Sequence, residues 1–138
     1  MAESGAMAVD LIRSPRLYPG APYAYAAVSD GAGLVCTAGA CPINEQGQVT
    51  APGDIPAQMR QALENLRIAL QESGVTIGDV LKTTVYVASS DREDLVAAWN
   101  EVAAVFGGHD APSTLVGVTV LGYAGQLVEI EAMAATSR

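Results

Sequence analysis

The sequence has few basic residues: seven Lys and Arg stand against fifteen Asp and Glu, which gives a net charge of -8. Such a charge repels nucleic-acid backbones and anionic membrane surfaces, so neither is an expected partner. The chain also lacks a long apolar run and a basic N-terminal region followed by an apolar one. With only Cys36 and Cys41 as thiols, the sequence predicts a cytoplasmic protein with reduced cysteines.

What is present is a regular pattern of apolar residues. Half of the 138 residues are hydrophobic, which suits a single domain over residues 1–138. Between Asp54 and Ser73 apolar residues recur at helical spacing, with Asp54 as the expected N-cap and Gly74 as the left-handed residue after the helix. A capping-box pattern over residues 90–93 predicts a second helix that ends before Gly107.

Segments rich in β-branched residues surround the two helices. They cover residues 9–12, 23–28, 33–39, 80–88, 113–121 and 126–134. Two strand–helix–strand crossovers result, which predicts an α+β fold: a mixed β-sheet with two helices packed on one face. Because both faces of most strands look apolar, the uncovered face is expected to be a large apolar patch that a closed cyclic oligomer would bury.

Two acidic residues interrupt the last predicted strand. In QLVEIEAMA, residues 126–134, alternation puts Glu129 and Glu131 on one face and Val128 and Ile130 on the other. Neither acid has a Lys or Arg nearby in the sequence. The pattern leaves two interpretations open: a functional acid in a pocket, or carboxylates that face solvent at a strand end.

Several stretches of the chain resemble one protein family. They are APYAYAAV (21–28), TAGACPINEQGQV (37–49), AQMRQALENLRIAL (57–70), GDVLKTTVYV (78–87), APST (111–114) and LVEIEAMA (127–134). Together they are similar to the RidA/YjgF/YER057c/UK114 family, small trimers whose best-studied members hydrolyse reactive enamines and imines. The resemblance implies a YjgF/chorismate-mutase-like fold, a terminal hairpin between residues 112 and 129, a homotrimer with a central barrel, a small-molecule substrate and no cofactor.

The resemblance also implies the site residues. Glu129 matches the acid that holds the attacking water in a pocket between subunits, where burial would favour its protonated form and suit it to shuttle protons. Tyr23 matches a pocket tyrosine, and Gly39 matches a glycine whose backbone lies against the ligand. The residues expected to bind substrate are Gly39, Ala40, Cys41, His109 and Ser113.

The chain departs from the family pattern at one position. The family has Pro, a small residue and Arg, whereas this chain has Thr114 in place of the arginine that is thought to bind a substrate carboxylate. A hydroxyl offers one donor where a guanidinium offers two parallel charge-assisted bonds. Thr114 is therefore expected to serve in catalysis on an altered substrate. Arg13 or Arg16 is a possible replacement for the positive charge of the missing arginine.

Two questions stay open at this stage. Cys41 is either a buried inert thiol or a nucleophile activated by His109, with Glu129 orienting the imidazole. The whole protein is either a divergent imine or enamine hydrolase, or a non-catalytic trimer of the same fold that binds or senses a small molecule. The ligand set is too short to predict a metal site, and the acidic balance and single His argue against ribonuclease activity.

Overall fold

The computed structural model describes residues 9–13, 15–16, 19–20, 22, 24, 26–29 and 33–136. Its elements, in chain order, are β1 (Val9–Ile12), β2 (Ala26–Ser29), β3 (Gly33–Cys36), α1 (Ile55–Glu72), β4 (Val80–Val87), α2 (Arg92–Phe106), β5 (Ser113–Gly117) and β6 (Val128–Thr136), with a short 3-10 turn at Ile77–Asp79. The predicted order of strands and helices is confirmed. The largest boundary shift is at β5, which ends at Gly117 rather than at residue 121, and β3 ends at Cys36 rather than at residue 39.

The helix ends follow from local side-chain chemistry. The Asp54 carboxylate accepts a hydrogen bond from the Ala57 N–H at 3.0 Å, and Gly74 follows α1 with a φ of 85°, both as predicted. The capping box expected over residues 90–93 is wrong, because Asp91 is the N-cap of α2 and accepts from the Glu93 N–H at 2.9 Å. Among the described residues, no helix is both long and apolar enough to cross a membrane.

Four strands form a mixed sheet in the order β3-β6-β4-β5. β4 and β5 run parallel, as a strand–helix–strand crossover requires, and β6 is antiparallel to both β3 and β4. The terminal hairpin implied by the family resemblance is therefore wrong, since β5 and β6 lie on opposite sides of β4. β1 and β2 pair with each other in a separate antiparallel sheet.

Both helices pack on one face of this sheet, which confirms the α+β fold. Alternate residues of β6 are fully or almost fully buried on that face, and apolar side chains of α1 and α2 cover them. The buried helix residues include Met59, Leu63, Leu66, Leu70, Ala98 and Val102. Each large aliphatic side chain buried in this way stabilises the fold by about 1.5–3 kcal/mol.

The face without helices, here called the outer face, carries many polar side chains. Strand register places Lys82, Thr84, Tyr86, Thr114, Val116, Glu129, Glu131, Met133 and Cys36 on it. Leu34 and Met133 are exposed on the same face, so it is a mixed surface rather than the large apolar patch that was expected. Threonine and tyrosine favour strands as valine does, so a strand-forming sequence can still present a polar surface.

Candidate functional site

The Glu129 carboxylate is held on the outer face by a buried amide. Its Oε1 accepts a hydrogen bond from Gln126 Nε2 at 3.1 Å. Gln126 is only 4% exposed, and its own side-chain oxygen accepts from the Tyr123 N–H at 3.1 Å. Because the amide is fixed at both ends, it fixes the position of the half-buried acid.

A bulge beside β6 brings Gly39 against this acid. After β3, the Thr37 N–H donates to the Ala132 carbonyl at 2.9 Å and the Ala40 N–H donates to the Ile130 carbonyl at 2.6 Å. One more residue lies between these two bonds on the Thr37–Ala40 side than on β6, which is the arrangement of a β-bulge. A Cβ on Gly39 would lie 1.9 Å from Glu129 Oε2. The resemblance implied that a ligand approaches Gly39, and the structure shows that Glu129 occupies this space.

Cys41 is a hydrogen-bond donor to the acid. Its Sγ lies 3.6 Å from Glu129 Oε1 and 3.5 Å from the Gly39 carbonyl oxygen. Burial, and then the negative charge of Glu129, raise the pKa of the Cys41 thiol above its ordinary value. A thiol that stays protonated is a poor nucleophile. The surroundings of Cys41 therefore support the hypothesis of an inert thiol.

His109 lies at the other end of the sheet from Cys41. Its Nε2 is 2.7 Å from the Val80 carbonyl oxygen, which can only accept, so the ring carries a proton on Nε2. Val80 pairs with Ala134 of β6, whereas Ala40 pairs with Ile130. Four strand residues separate these points by about 13 Å. The hypothesis of a Cys41–His109 pair is therefore wrong within one chain.

We expect Cys41 to react slowly with alkylating reagents. In a Cys36→Ser background, iodoacetamide should modify Cys41 more slowly at pH 8 than it modifies glutathione, because less thiolate is present. The rate should rise when Glu129 is replaced by Gln, since the carboxylate charge that disfavours the thiolate is removed. Mass spectrometry of the Cys41 peptide across pH 7–10 measures both rates. Alkylation of Cys41 faster than glutathione would contradict this account.

Thr114 and Ser113 point to opposite faces of the sheet. Thr114 is exposed on the outer face, where Lys82 Nζ donates to its hydroxyl at 2.6 Å. Ser113 faces the helices, and its Oγ accepts from the buried Thr83 hydroxyl at 2.6 Å. Because strand residues alternate, the two hydroxyls lie on opposite faces of the sheet of one chain, and the expected role of Ser113 in substrate binding stays a prediction.

The remaining predicted residues lie elsewhere. Ala40 supplies the backbone pairing that fixes the bulge. Arg13 forms an ion pair with Asp110, and Arg16 is exposed in a turn. Tyr23 lies outside the described residues. No group of three His, Cys, Asp or Glu suited to a metal occurs in residues 33–136 or in the described N-terminal stretches.

Two residues of the site were missed from the sequence. Lys82 is the only lysine of the chain and alternates with Thr84 and Tyr86, which places all three on the outer face. The alternation along β4 could be predicted from the sequence. The pairing of β4 with β5, which brings Lys82 to Thr114, could not. Gln126 resembles any loop glutamine until its burial is known, so no local signal identifies it.

Within one chain Thr114 and Glu129 do not meet. They are separated by two strand spacings across the sheet and two residues along it, or about 12 Å. A small molecule of a few carbon atoms cannot contact both. The outer face of one chain thus carries two separate polar centres: the acid with Gln126 and Gly39, and the lysine with Thr114.

Comparison with known proteins gives one consistent family. The sequence model of the family described as Endoribonuclease L-PSP matches residues 14–136. A RutC family protein of Haemophilus influenzae is 38% identical over 96 residues, or 69% of this chain and 71% of that protein. A protein of Escherichia coli named 2-iminobutanoate/2-iminopropanoate deaminase is 35% identical over 79 residues, or 56% of this chain and 59% of that protein.

Solved structures agree with these sequence matches. YyfB of Yersinia pestis, a Rid family protein of unknown function, has a TM-score of 0.88 and 29% identity, with 94% of this chain and 100% of that chain covered. The YjgF gene product of E. coli has a TM-score of 0.65 and 32% identity, with 91% and 98% covered. E. coli TdcF with bound serine has a TM-score of 0.66 and 31% identity, with 93% and 99% covered.

Proposed function

The chain belongs to the RidA/YjgF family, whose sequence model is described as Endoribonuclease L-PSP, and from this membership and the anchored Glu129 we propose that it hydrolyses imines or enamines. The observation that supports the proposal is the carboxylate itself. Both hydrogen bonds given by described residues reach Oε1, which leaves Oε2 beside Gly39 to accept one from a water molecule. A carboxylate with a fixed position and one oxygen that receives no hydrogen bond from the described residues can orient water for attack.

The proposed reaction is hydrolysis of a C=N bond. Glu129 accepts a proton from water as the oxygen attacks the carbon, and the proton passes to the nitrogen. The resulting carbinolamine expels ammonia and leaves a carbonyl group, so that one water is consumed for each ammonia released. An enamine enters the same sequence after protonation at carbon converts it to the imine. The chain needs only a fixed general base and a pocket that admits one water.

We propose that the complete site forms between copies of the chain. Glu129 and Thr114 lie about 12 Å apart in one chain, so a small substrate that contacts both must receive them from different subunits. A homotrimer around a central barrel would place one chain's outer face beside the next. Sedimentation velocity tests this directly: a trimer is the expected species, and a stable monomer would contradict the shared site.

Endoribonuclease activity, which the family description names, fits this chain poorly. A net charge of -8 opposes the approach of a phosphate backbone. The single His forms a hydrogen bond to the Val80 carbonyl and lies away from Glu129. The Glu129 carboxylate, held by the Gln126 amide, is better suited to orient a water molecule toward a small imine.

The test of the proposed function is release of a keto acid. 2-Iminopropanoate generated in situ should yield pyruvate faster with the protein than in buffer, and an uncharged imine of similar size provides the comparison. Rates equal to the spontaneous rates for both imines would overturn the proposed activity. A ligand that raises the melting temperature without being converted would instead support the non-catalytic, small-molecule-binding function.

A further inference from the structure

We propose that three amide side chains of α1 position the Glu129 carboxylate for its work on water. They are Gln58, Gln61 and Asn65, here called the amide row. Their positions i, i+3 and i+7 lie on one face of a helix. The inference rests on the proposed function and extends its machinery to α1, with positioning residues that act through two loops.

Gln58 holds the chain segment that carries Gln126. The Gln58 side chain is fully buried, and its Oε1 accepts a hydrogen bond from the Leu127 N–H at 2.8 Å. Its Nε2 donates to the Gly125 carbonyl at 3.1 Å and to the Ala51 carbonyl at 3.3 Å. One helix side chain thus binds both backbone neighbours of Gln126, which restricts where the Gln126 amide can point.

Asn65 holds the segment that carries Cys41. Its Nδ2 donates to the Cys41 carbonyl at 2.8 Å and to the Ile43 carbonyl at 2.9 Å. Its Oδ1 accepts from Gln61 Nε2 at 3.1 Å, so a second amide of α1 fixes the orientation of the first. Both N–H donors of the Asn65 amide are therefore used for this one loop.

The two segments meet at Glu129. Gln126 Nε2 lies 3.1 Å and Cys41 Sγ lies 3.6 Å from Glu129 Oε1. Each of these donors belongs to a loop that α1 binds, one through Gln58 and the other through Asn65. Apolar side chains of α1 are packed in the core, so the helix is a rigid base for both loops. The position of Oε1, and with it that of Oε2, therefore depends on the amide row.

Loss of one amide should release its loop. If a nonpolar side chain replaces Gln58, the Leu127 N–H and the Gly125 carbonyl lose their side-chain partner, and an unpaired buried polar group is unfavourable. The segment can then replace these bonds with bonds to water only by moving outward. Such a movement carries Gln126 with it and withdraws the donor from Glu129.

The first readout is alkylation of Cys41, which needs no substrate. Gln58→Met and Asn65→Leu, each made in the full-length Cys36→Ser protein, should raise the iodoacetamide rate at pH 8 about 3-fold, the change in thiolate that half a pKa unit produces. The reason is that a displaced Glu129 carboxylate no longer disfavours the thiolate. Added to Glu129→Gln, neither substitution should raise the rate further, because the charge is already absent.

The second readout is turnover of 2-iminopropanoate. Both variants should lower kcat about 10-fold, which is part of the roughly 10²-fold loss that displacing a catalytic group by about 1 Å can cause. KM should stay within a few-fold, because the amide row binds the two loops rather than the outer face. Gln58→Met combined with Glu129→Ala should have the kcat of Glu129→Ala alone.

Asp79→Ala is the control for a simple loss of stability. Asp79 accepts a hydrogen bond from the Thr76 N–H at 2.8 Å in the turn before β4. This turn adjoins Val80, which pairs with Ala134, far along β6 from Glu129. Asp79→Ala should lower the melting temperature by about 4 °C, as expected for a lost cap, yet keep the wild-type Cys41 alkylation rate and kcat.

The outcomes separate this inference from the proposed function. A rise in Cys41 alkylation that disappears in the Glu129→Gln background supports positioning of the carboxylate, even if no imine is hydrolysed. An unchanged rate in a folded Gln58→Met or Asn65→Leu variant overturns the role of that amide, even if the wild type hydrolyses imines. A rise of equal size in both backgrounds also overturns it, because a loosened loop alone explains that result. Circular dichroism checks the fold of each variant, and the half-buried Asn65 provides the test if Gln58→Met does not fold.

Discussion

Replacing Glu129 with Gln should lower kcat for imine hydrolysis about 10³-fold, within the range that a positioned general base contributes. Glutamine keeps the size of the side chain and an oxygen that can accept from Gln126 Nε2, now 3.1 Å from Glu129 Oε1. It cannot accept a proton from water. The chemical step should therefore suffer while the surrounding structure remains.

Substrate binding and folding should change little in this variant. KM should stay within a few-fold, because glutamine keeps the size of the side chain and an oxygen that can accept from Gln126 Nε2. The free energy of unfolding should change by no more than about 1 kcal/mol, since a charged acceptor is exchanged for a neutral one in a half-buried place. Stopped-assay release of pyruvate gives kcat and KM, and urea denaturation gives the stability.

Glu72→Gln is the matched control for this change. Glu72 is the last residue of α1 and is exposed, so the same chemical substitution removes a charge far from the outer face. It should leave kcat and KM at their wild-type values. A Glu129→Gln variant with a wild-type rate would show that the carboxylate neither orients nor deprotonates the water, and the proposed mechanism would have to be abandoned.

The sequence allowed the elements of the fold to be predicted because their signals are local. The helical spacing of α1, its Asp54 cap and the glycine after it lie within one continuous segment. Alternation along β6 likewise separated Glu129 from Ile130 correctly. These signals need only the period of a helix or a strand, which neighbouring residues contain.

The candidate site was harder to predict because its contacts join distant parts of the chain. The Lys82–Thr114 bond connects residues 32 apart, and the Cys41–Glu129 contact connects residues 88 apart. Which residues meet depends on the strand order, and the order β3-β6-β4-β5 separates two strands that are consecutive in sequence. His109 and Cys41 therefore seemed to be possible partners, although they lie near opposite ends of β6.

Replacing Gly39 with Ala should lower kcat about 10²-fold, which is the scale expected when a catalytic group is displaced by about 1 Å. The new methyl group would lie 1.9 Å from Glu129 Oε2 and 2.5 Å from Cδ, distances that atoms cannot occupy together. The carboxylate is the end of a flexible side chain, so it should move rather than the backbone. Its bonds to Gln126 and Cys41 would then lengthen or break.

Gly78→Ala separates this steric effect from the general cost of changing a glycine. A Cβ there would meet only Thr76 Oγ1, at 3.7 Å, which is an ordinary contact. Neither glycine has a positive φ, so alanine suits both backbones. Gly78→Ala should keep wild-type kcat, and both variants should retain the fold by circular dichroism.

A double-variant cycle identifies the route by which Gly39 acts. If the methyl group impairs catalysis by displacing the acid, adding Gly39→Ala to Glu129→Ala should cause no further loss of kcat, because the displaced group is already absent. Independent, multiplying losses would instead mean that Gly39 contacts the substrate through its backbone, as the family resemblance implies. A single Gly39→Ala variant with wild-type kcat would contradict both routes, because it would show that the position of the Glu129 carboxylate seen beside Gly39 is not the one used in turnover.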